Sequence, residues 1–326
     1  MSNQSFFRRL IRHCVHSAAH HLRNTQLWAD FVLLQGQQAA LQVQRLEQLR
    51  SLGDAEFRAF SQWGEDGILE WLVSRLPKIP QTLVEFGVGD YTESNTRFLV
   101  CNRNWHALIM DGGEANMDFL RRHSMSWRHD IRAVTAFIDR DNINDLLRKN
   151  GFGEELGILS IDIDGNDYWV WDAITSVKPW IVISEYNATF GDLQPLTVPY
   201  DARFSIRDAH YSGAYFGTSI GALKVAATKH GYSLIGSNRA GLNAFFVRND
   251  LISKIVVDDK RALPSIFTDT RNRAGDLSYV RGPARRDLIA DMPVQDVSTG
   301  KILNLGDAGE IYSDHWKAVM AGHPVS

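Results

Sequence analysis

The sequence predicts an α/β fold: a doubly wound, mostly parallel seven-stranded sheet with its last strand antiparallel, preceded by an N-terminal helical extension. Three observations predict it. Short apolar runs alternate with segments of helical spacing between residues 82 and 248, the pattern of strand–helix–strand units. The run Thr82-Leu83-Val84 ends in Glu85 and opens into Gly87-Val88-Gly89-Asp90, a glycine turn ahead of a helix. The last two apolar runs are joined by residues 237–242 alone, too short for a helical crossover, so they pair antiparallel.

Taken in order, residues 5–50 read as helix. The first part is basic and amphipathic, with Arg8, Arg9, Arg12 and Arg23 among Phe6, Phe7, Leu10, Ile11 and Val15. Such a segment packs on its own domain or a second subunit; a peripheral contact with anionic lipid is the second reading. His13, His16, His20 and His21 have no acidic companion and read as surface residues rather than a metal site. Further on, Leu27, Phe31, Leu34 and Leu41 trace a heptad seam interrupted by Gln38 and Arg45, a candidate homo-oligomer contact. Ser51-Leu52-Gly53-Asp54 breaks the helix. The segment 60–77 then has helical spacing at Ile68, Leu69, Leu72, Val73 and Leu76, and Pro77 ends it. Its lead-in, Ser61-Gln62-Trp63-Gly64-Glu65-Asp66-Gly67, reads as capping and turn chemistry or as a cover for a ligand site.

Strands are expected at 82–86, 107–111, 131–137, 158–163, 180–185, 232–236 and 243–248. Helices are expected at 94–101, 142–149, 167–174 and 219–229. Residues 187–215 form a long irregular section, and 250–326 add helices and loops. The expected partition is an arm at 1–53, an α/β domain at 54–250 and an extension at 251–326.

Composition narrows the function classes. A hydrophobic content of 44% and a charged content of 22% over 326 residues are ordinary for a globular chain. The net charge of −3 gives no electrostatic case for nucleic acid. Cys14 and Cys101 have neither metal nor redox spacing, so a reducing, cytoplasmic setting is expected. No run reaches the roughly 18 apolar residues of a membrane-spanning helix. The basic N-terminus lacks the continuous apolar core of a signal peptide.

The glycines of the turn let a ligand approach the backbone. A dinucleotide fingerprint wants a third glycine where Thr92 stands. S-Adenosylmethionine has no phosphate; it needs an open turn and an acid for its ribose, and Asp111 closes the second strand where that acid belongs. The stretches VEFGVGDYTESNTRFL, ALIMDGG, ILSIDIDGNDYWVWDAI, IVISEYNATFG and NAFFVRNDL resemble class I S-adenosylmethionine-dependent methyltransferases, FkbM-like and related sugar O-methyltransferases most of all, over about residues 60–250. That resemblance implies a Rossmann-like methyltransferase sheet. It also implies that Glu85, Gly87 and Gly89 line the methionine side and that Asp111 binds ribose. Tyr91 departs from it, since many members have a third glycine there.

A carboxylate cluster completes the site. On a continuing fourth strand, Asp162 and Asp164 share a face about 6–7 Å apart, and Glu185 ends the neighbouring fifth strand about 4.8 Å away. Close carboxylates repel, so either a cation joins them or one keeps a proton. Mg²⁺ suits such all-oxygen ligands. Asp162, Asp164 and Glu185 are therefore candidate metal ligands; Asp164 and Glu185 are candidate catalytic groups, and Asp162 a candidate cofactor contact. Helix capping is the structural alternative, for Asp164, Asn166 and Asp167 alike. Asn187 is a candidate ligand and His210 a candidate base. Tyr200, Phe204, Tyr211 and Tyr215 beside acids suit a sugar, and equally an ordinary folded lid. The chain thus reads as an O-methyltransferase for a hydroxyl of a small-molecule or glycan acceptor, using S-adenosylmethionine, with either Mg²⁺ or an aspartate acting as general base at the cluster. An NAD-dependent α/β enzyme is opposed by the missing third glycine and the antiparallel last pair. A non-catalytic scaffold or assembly protein is opposed by the retained acids.

Overall fold

The computed structural model describes residues 26–265, 267 and 269–322. The basic first part of the arm, with its arginines and histidines, lies outside the described residues. The sheet runs β3-β2-β1-β4-β5-β8-β7, built from Ile131–Thr135, His106–Asp111, Thr82–Phe86, Glu155–Ile161, Lys178–Glu185, Asn243–Arg248 and Tyr232–Ser237. β1 pairs parallel with β2 and β4, β2 with β3, and β4 with β5, while β8 runs antiparallel to both β5 and β7. This is the expected doubly wound sheet with its last strand reversed. Its order changes direction beside β1 and β4, the switch point at which open α/β sheets bind ligands.

Alternation along each strand sends side chains into two separate cores. Leu83, Ala107, Ile109 and Ile158 pack with Leu72, Leu99 and Leu120 on one face. Val84, Phe86, Leu108 and Leu159 pack with Leu147, Trp171 and Leu223 on the other. The helices Glu65–Arg75, Arg97–Arg103 and Glu114–Arg122 thus cover one face, and Ile143–Lys149, Asp167–Ala173 and Ile220–His230 the other.

Two expected bounds move for physical reasons. The helix expected at 94–101 begins at Arg97, because the amides of Asn95 and Thr96 and the hydroxyl of Ser94 donate to Glu85 instead. The fourth strand, expected to continue to residue 163, ends at Ile161. Asp164 then takes a left-handed φ of +57°, and Asp167 closes the turn by accepting Ile163 N–H at 2.9 Å and Gly165 N–H at 3.0 Å. Asp162 and Asp164 are brought together by a turn, not by strand pleat.

The C-terminal part is more regular than loops and helices alone. Leu196–Thr197 (β6), Pro293–Asp296 (β9) and Ile302–Asn304 (β10) form a small antiparallel sheet. Ile289, Val294, Leu305, Ile311, Tyr312 and Trp316 join the second core. Tyr312 O–H donates to Thr189 C=O at 2.9 Å, and Trp316 Nε1–H to Ala262 C=O at 2.8 Å. Among the described residues, no helix is long and apolar enough to cross a membrane.

Candidate active site

Glu85 organises the turn from behind. Its buried carboxylate accepts from Ser94 Oγ at 2.7 Å, Asn95 N–H at 2.9 Å, Thr96 N–H at 3.1 Å, Ser160 Oγ at 3.3 Å and the Thr96 hydroxyl. Burial pushes its carboxyl up, opposed by these donors. Such a group anchors the loop wall; it does not itself line the cavity in front.

That cavity is about 360 Å³ and is lined by the glycine turn (Gly87, Gly89), the end of β2 (Asp111, Gly112), the stretch after β3 (Ala136, Phe137, Ile138), the turn after β4 (Asp162, Ile163, Asp164, Asn166), and Phe204 and Arg207. Gly87, at φ +80°, is forced by proximity: a Cβ there would stand 1.3 Å from the Asp162 carbonyl oxygen. Gly89, at φ +56°, has open space where a Cβ would go. Its N–H donates to Asp111 Oδ2 at 2.9 Å, while Asp111 Oδ1 accepts from Gly113 N–H at 2.7 Å and Asn116 Nδ2 at 3.1 Å. A carboxylate offers about four lone-pair sites. Asp111 therefore fixes the turn and keeps capacity for about one more donor.

Tyr91, standing where a glycine was expected, adopts a glycine-like φ of +65°. Left-handed backbone costs a bulky residue roughly 1–2 kcal/mol. The ring is buried in the first core, and its hydroxyl lies 3.0 Å from Thr96 Oγ1. Arg97 braces the same loop by donating to Thr92 C=O at 2.5 Å, with its guanidinium 4.4 Å over the Phe60 ring.

Asp162, Asp164 and Glu185 place one carboxylate oxygen each within 4.8 Å of one another, an all-oxygen set that could hold a metal ion. Asp162 and Glu185 are half-buried, whereas Asp164 opens onto the cleft. Burial, then the neighbouring acids, push Asp162 and Glu185 well above the ordinary carboxylate range. Asp164 is pushed up by the surrounding protein and held back by the Arg207 cation. Asn166 stands beside them, buried, donating Nδ2–H to Asp201 C=O at 2.8 Å; its Oδ1 has no partner among the described residues.

His210 is a correction. It does not line the cavity. Its Nδ1 lies 2.8 Å from Ser212 Oγ and its ring centroid 4.3 Å from that of Tyr211. Burial and Arg273 lower its pKa, against Asp291. With that nitrogen engaged in its own loop, it is not positioned as the base. Asn187 is likewise internal: its Oδ1 accepts Thr189 N–H at 2.9 Å, and its Nδ2 donates to Ala214 and Phe216 carbonyls at 2.8 and 2.9 Å. Of the four polar-section aromatics, Phe204 alone lines the cavity. The lead-in at 61–67 is turn chemistry. Asp66 Oδ2 accepts from Ala59, Phe60 and Ser61 N–H at 2.7–2.8 Å and from Ser61 Oγ at 2.9 Å.

Phe137, Asn166 and Arg207 went unmarked as cavity residues in the sequence pattern. Arg207, a cation in the long section, is set against Asp164.

No protein-family model matches the chain, and no curated protein matches it. Among solved structures, the chain is similar to the N-terminal domain of EvdMO1 with SAH bound, at 12% identity over 54% of this chain and 76% of that one, with a TM-score of 0.36. It is similar to an S-adenosylmethionine-dependent methyltransferase from Clostridium acetobutylicum, at 9% identity over 56% and 90%, with a TM-score of 0.36. A putative caffeoyl-CoA O-methyltransferase from Staphylococcus aureus follows, at 13% identity over 56% and 81%, with a TM-score of 0.34. Likenesses this distant decide nothing about chemistry, which rests on the site itself.

Two buried acids outside the cluster set a pH dependence. Burial lifts Asp66 from 3.8 to about 7 and Asp167 from 3.8 to about 6, against their donors. Between the unfolded and folded values the native state holds protons that the unfolded chain has released. The contribution of these two groups to stability therefore falls as pH rises from about 4 to about 7, by at most about 1.4 kcal/mol per pH unit per group. Exposed acids held low by cations, such as Asp250 beside Arg248, act in the opposite sense below this window. Half-buried histidines whose pKa values burial lowers, such as His123 and His230, act in the opposite sense in the same window, so the readout is a difference: thermal melts from pH 4.5 to 8 should show a less negative slope of Tm with pH in Asp66→Asn than in wild type. A slope left unchanged by Asp66→Asn would contradict the assignment.

Proposed function

We propose that this chain is an S-adenosylmethionine-dependent O-methyltransferase acting on a hydroxyl of a sugar or glycan precursor, assisted by Mg²⁺. The observation that supports it is the meeting, on one cavity, of the glycine turn, Asp111, and two acids of the carboxylate cluster. The cavity volume lies within the usual range for small-molecule sites. Bound S-adenosylmethionine supplies an electrophilic methyl group. Gly87 and Gly89 leave room for its amino-acid portion, and Asp111 accepts from a ribose hydroxyl. Ala136, Phe137 and Ile138 offer an apolar wall for the purine. Asp162, Asp164 and Glu185 are the residues that would hold a hard cation, and such an ion would lower the pKa of an acceptor hydroxyl. In the cation's absence, a raised carboxyl among them serves as base. Phe204 and Arg207 bound the acceptor side. Most of the catalysis in such a displacement is alignment.

The NAD reading meets a specific obstacle. The dinucleotide fingerprint wants a third glycine where Thr92 stands, and the amides between the glycine turn and the helix, Asn95 and Thr96 N–H, already donate to Glu85. A scaffold would retain no need for an open cavity edged by acids.

Calorimetry tests the cofactor. Wild-type protein should bind S-adenosylmethionine and not NAD⁺, and Asp111→Ala should bind the former about 10–100-fold more weakly, about 1.4–2.7 kcal/mol. Asp111 also holds Gly89, so a ribose-deoxy analogue separates the roles. Removal of the ribose hydroxyl should weaken binding to wild type far more than to the variant. Equal losses would sink the ribose assignment, and no binding at all would favour the scaffold.

A further inference from the structure

We propose that the exposed seam of the N-terminal helix pairs with the same seam of a second copy, antiparallel, so that the protein is a homodimer. The helix Gln26–Val43 spans 18 residues, about 27 Å. One face is already used: Val32, Leu33 and Ala40 pack with Phe60 and Phe98, and a Cβ on Gly36 would meet the Phe98 ring at 2.4 Å. The other face carries Leu27, 79% exposed, and Phe31, Leu34 and Leu41, each 52% exposed. Their alternating spacing of four and three residues, with Gln38 between, is that of the a and d positions of a coiled coil. Monomeric proteins rarely leave a contiguous apolar stripe of this kind in water.

Charge selects the occupant. Asp30 is the only ionised side chain of the helix, and its other polar residues are glutamines. A helix that lies on anionic lipid needs Lys and Arg beside its apolar face; Gln26–Val43 has none of its own, and the neighbouring Arg128 is set against Asp30. A second copy of a nearly neutral helix meets no like-charge barrier. Charge also selects the direction. In a parallel pair Arg45, just past the helix end, meets its own copy, and so does Gln38. In an antiparallel pair centred near Gly36, Phe31 faces Leu41, Leu34 faces Gln38 and Leu27 faces Arg45. Each polar member of the seam then lies against a leucine, which its aliphatic stem covers, and Arg45 comes within about one turn of the other copy's Asp30.

The patch extends beyond the helix. Gln26 Oε1 accepts from Ser124 Oγ at 2.8 Å, and Arg128 lies 4.0 Å from Asp30. This docks the helix start against the segment bearing Phe119, 46% exposed, and Trp127, 75% exposed. Together they enlarge the contact toward the roughly 800 Å² per partner of a stable dimer.

Sedimentation velocity of the full chain across a concentration series should give a dimer. Phe31→Glu and Leu34→Glu should each be monomeric and folded, with a far-UV circular dichroism spectrum like that of wild type and a melting temperature that no longer rises with protein concentration, since both positions are exposed in the single chain. Register is read by mixing Leu34→Cys chains with Gln38→Cys chains under mild oxidant, with the wild-type chain and its own cysteines as control. A mixed crosslink is expected, and Leu34→Cys should not crosslink to itself. A monomer at every concentration would overturn the proposal, as would a Phe31→Glu variant that dimerises like wild type. Self-crosslinking of Leu34→Cys would overturn the antiparallel pairing. A monomer that sediments with anionic phospholipid vesicles would assign the face to lipid instead.

Discussion

Asp164→Asn is expected to lower methyl transfer by about 10²–10³-fold while leaving S-adenosylmethionine affinity within about threefold. The substitution is chosen for what it preserves. Asp164 sits at φ +57°, and asparagine is among the few residues that accept left-handed backbone. The turn closed by Asp167 therefore survives, and so does the volume of the side chain. What changes is charge. In the cluster with Asp162 and Glu185, whose carboxyls are pushed well above the ordinary range by burial and by one another, removing one anion weakens the attraction for a divalent cation. An amide oxygen remains as a weaker ligand. Activity of the variant should therefore recover in part as Mg²⁺ is raised. If the carboxylate acts only as a proton acceptor, added Mg²⁺ restores nothing. If turnover and cofactor affinity fall together, Asp164 is a structural residue and the catalytic role is lost.

The sheet is legible in the sequence because its strands are buried on both faces and read as short apolar runs. β1 and β8 fall where their patterns end, Thr82–Phe86 and Asn243–Arg248. The site is legible to the extent that it hangs from strand ends: Gly87, Gly89, Asp111, Asp162 and Asp164 all line one cavity, with Glu185 joining the last two. Three things escape such a pattern. A left-handed aspartate looks no different from one on a strand, so β4 appears to continue to Ile163. The helix Glu114–Arg122 buries only Met117 and Leu120, too sparse a stripe to stand out. The strands of the small sheet are two to four residues long, below the length at which alternation can be told from chance. Glu85 and His210 share a different cause. Both are chemically suited to a site, and in both the hydrogen-bond partners decide. Those partners, Ser94 to Thr96 for one and Ser212 for the other, are local hydroxyls and amides that any loop can supply.

The glycine turn yields the second large effect, because its two glycines are required for different reasons. Gly87→Ala should abolish the native fold or lower stability by more than about 4 kcal/mol. Its φ of +80° already disfavours a side chain, and the new methyl would occupy the place of the Asp162 carbonyl oxygen, 1.3 Å away. Backbone on both sides leaves nothing flexible to yield: β1 is paired with β2 and β4 up to Phe86, and Gly87 N–H donates to Met110 C=O at 3.1 Å. Gly89→Ala is the contrasting case. Nothing lies within 4 Å of its new methyl, so the chain should fold with a loss of about 1–2 kcal/mol from the left-handed backbone alone. That methyl would stand at the rim of the cavity Gly89 lines, and cofactor affinity should drop by at least about tenfold. Thermal melts and calorimetry on the two variants read both outcomes. If Gly87→Ala melts like wild type, the close approach of the turn to β4 is wrong. If Gly89→Ala binds S-adenosylmethionine as wild type does, the cofactor lies elsewhere than over this turn.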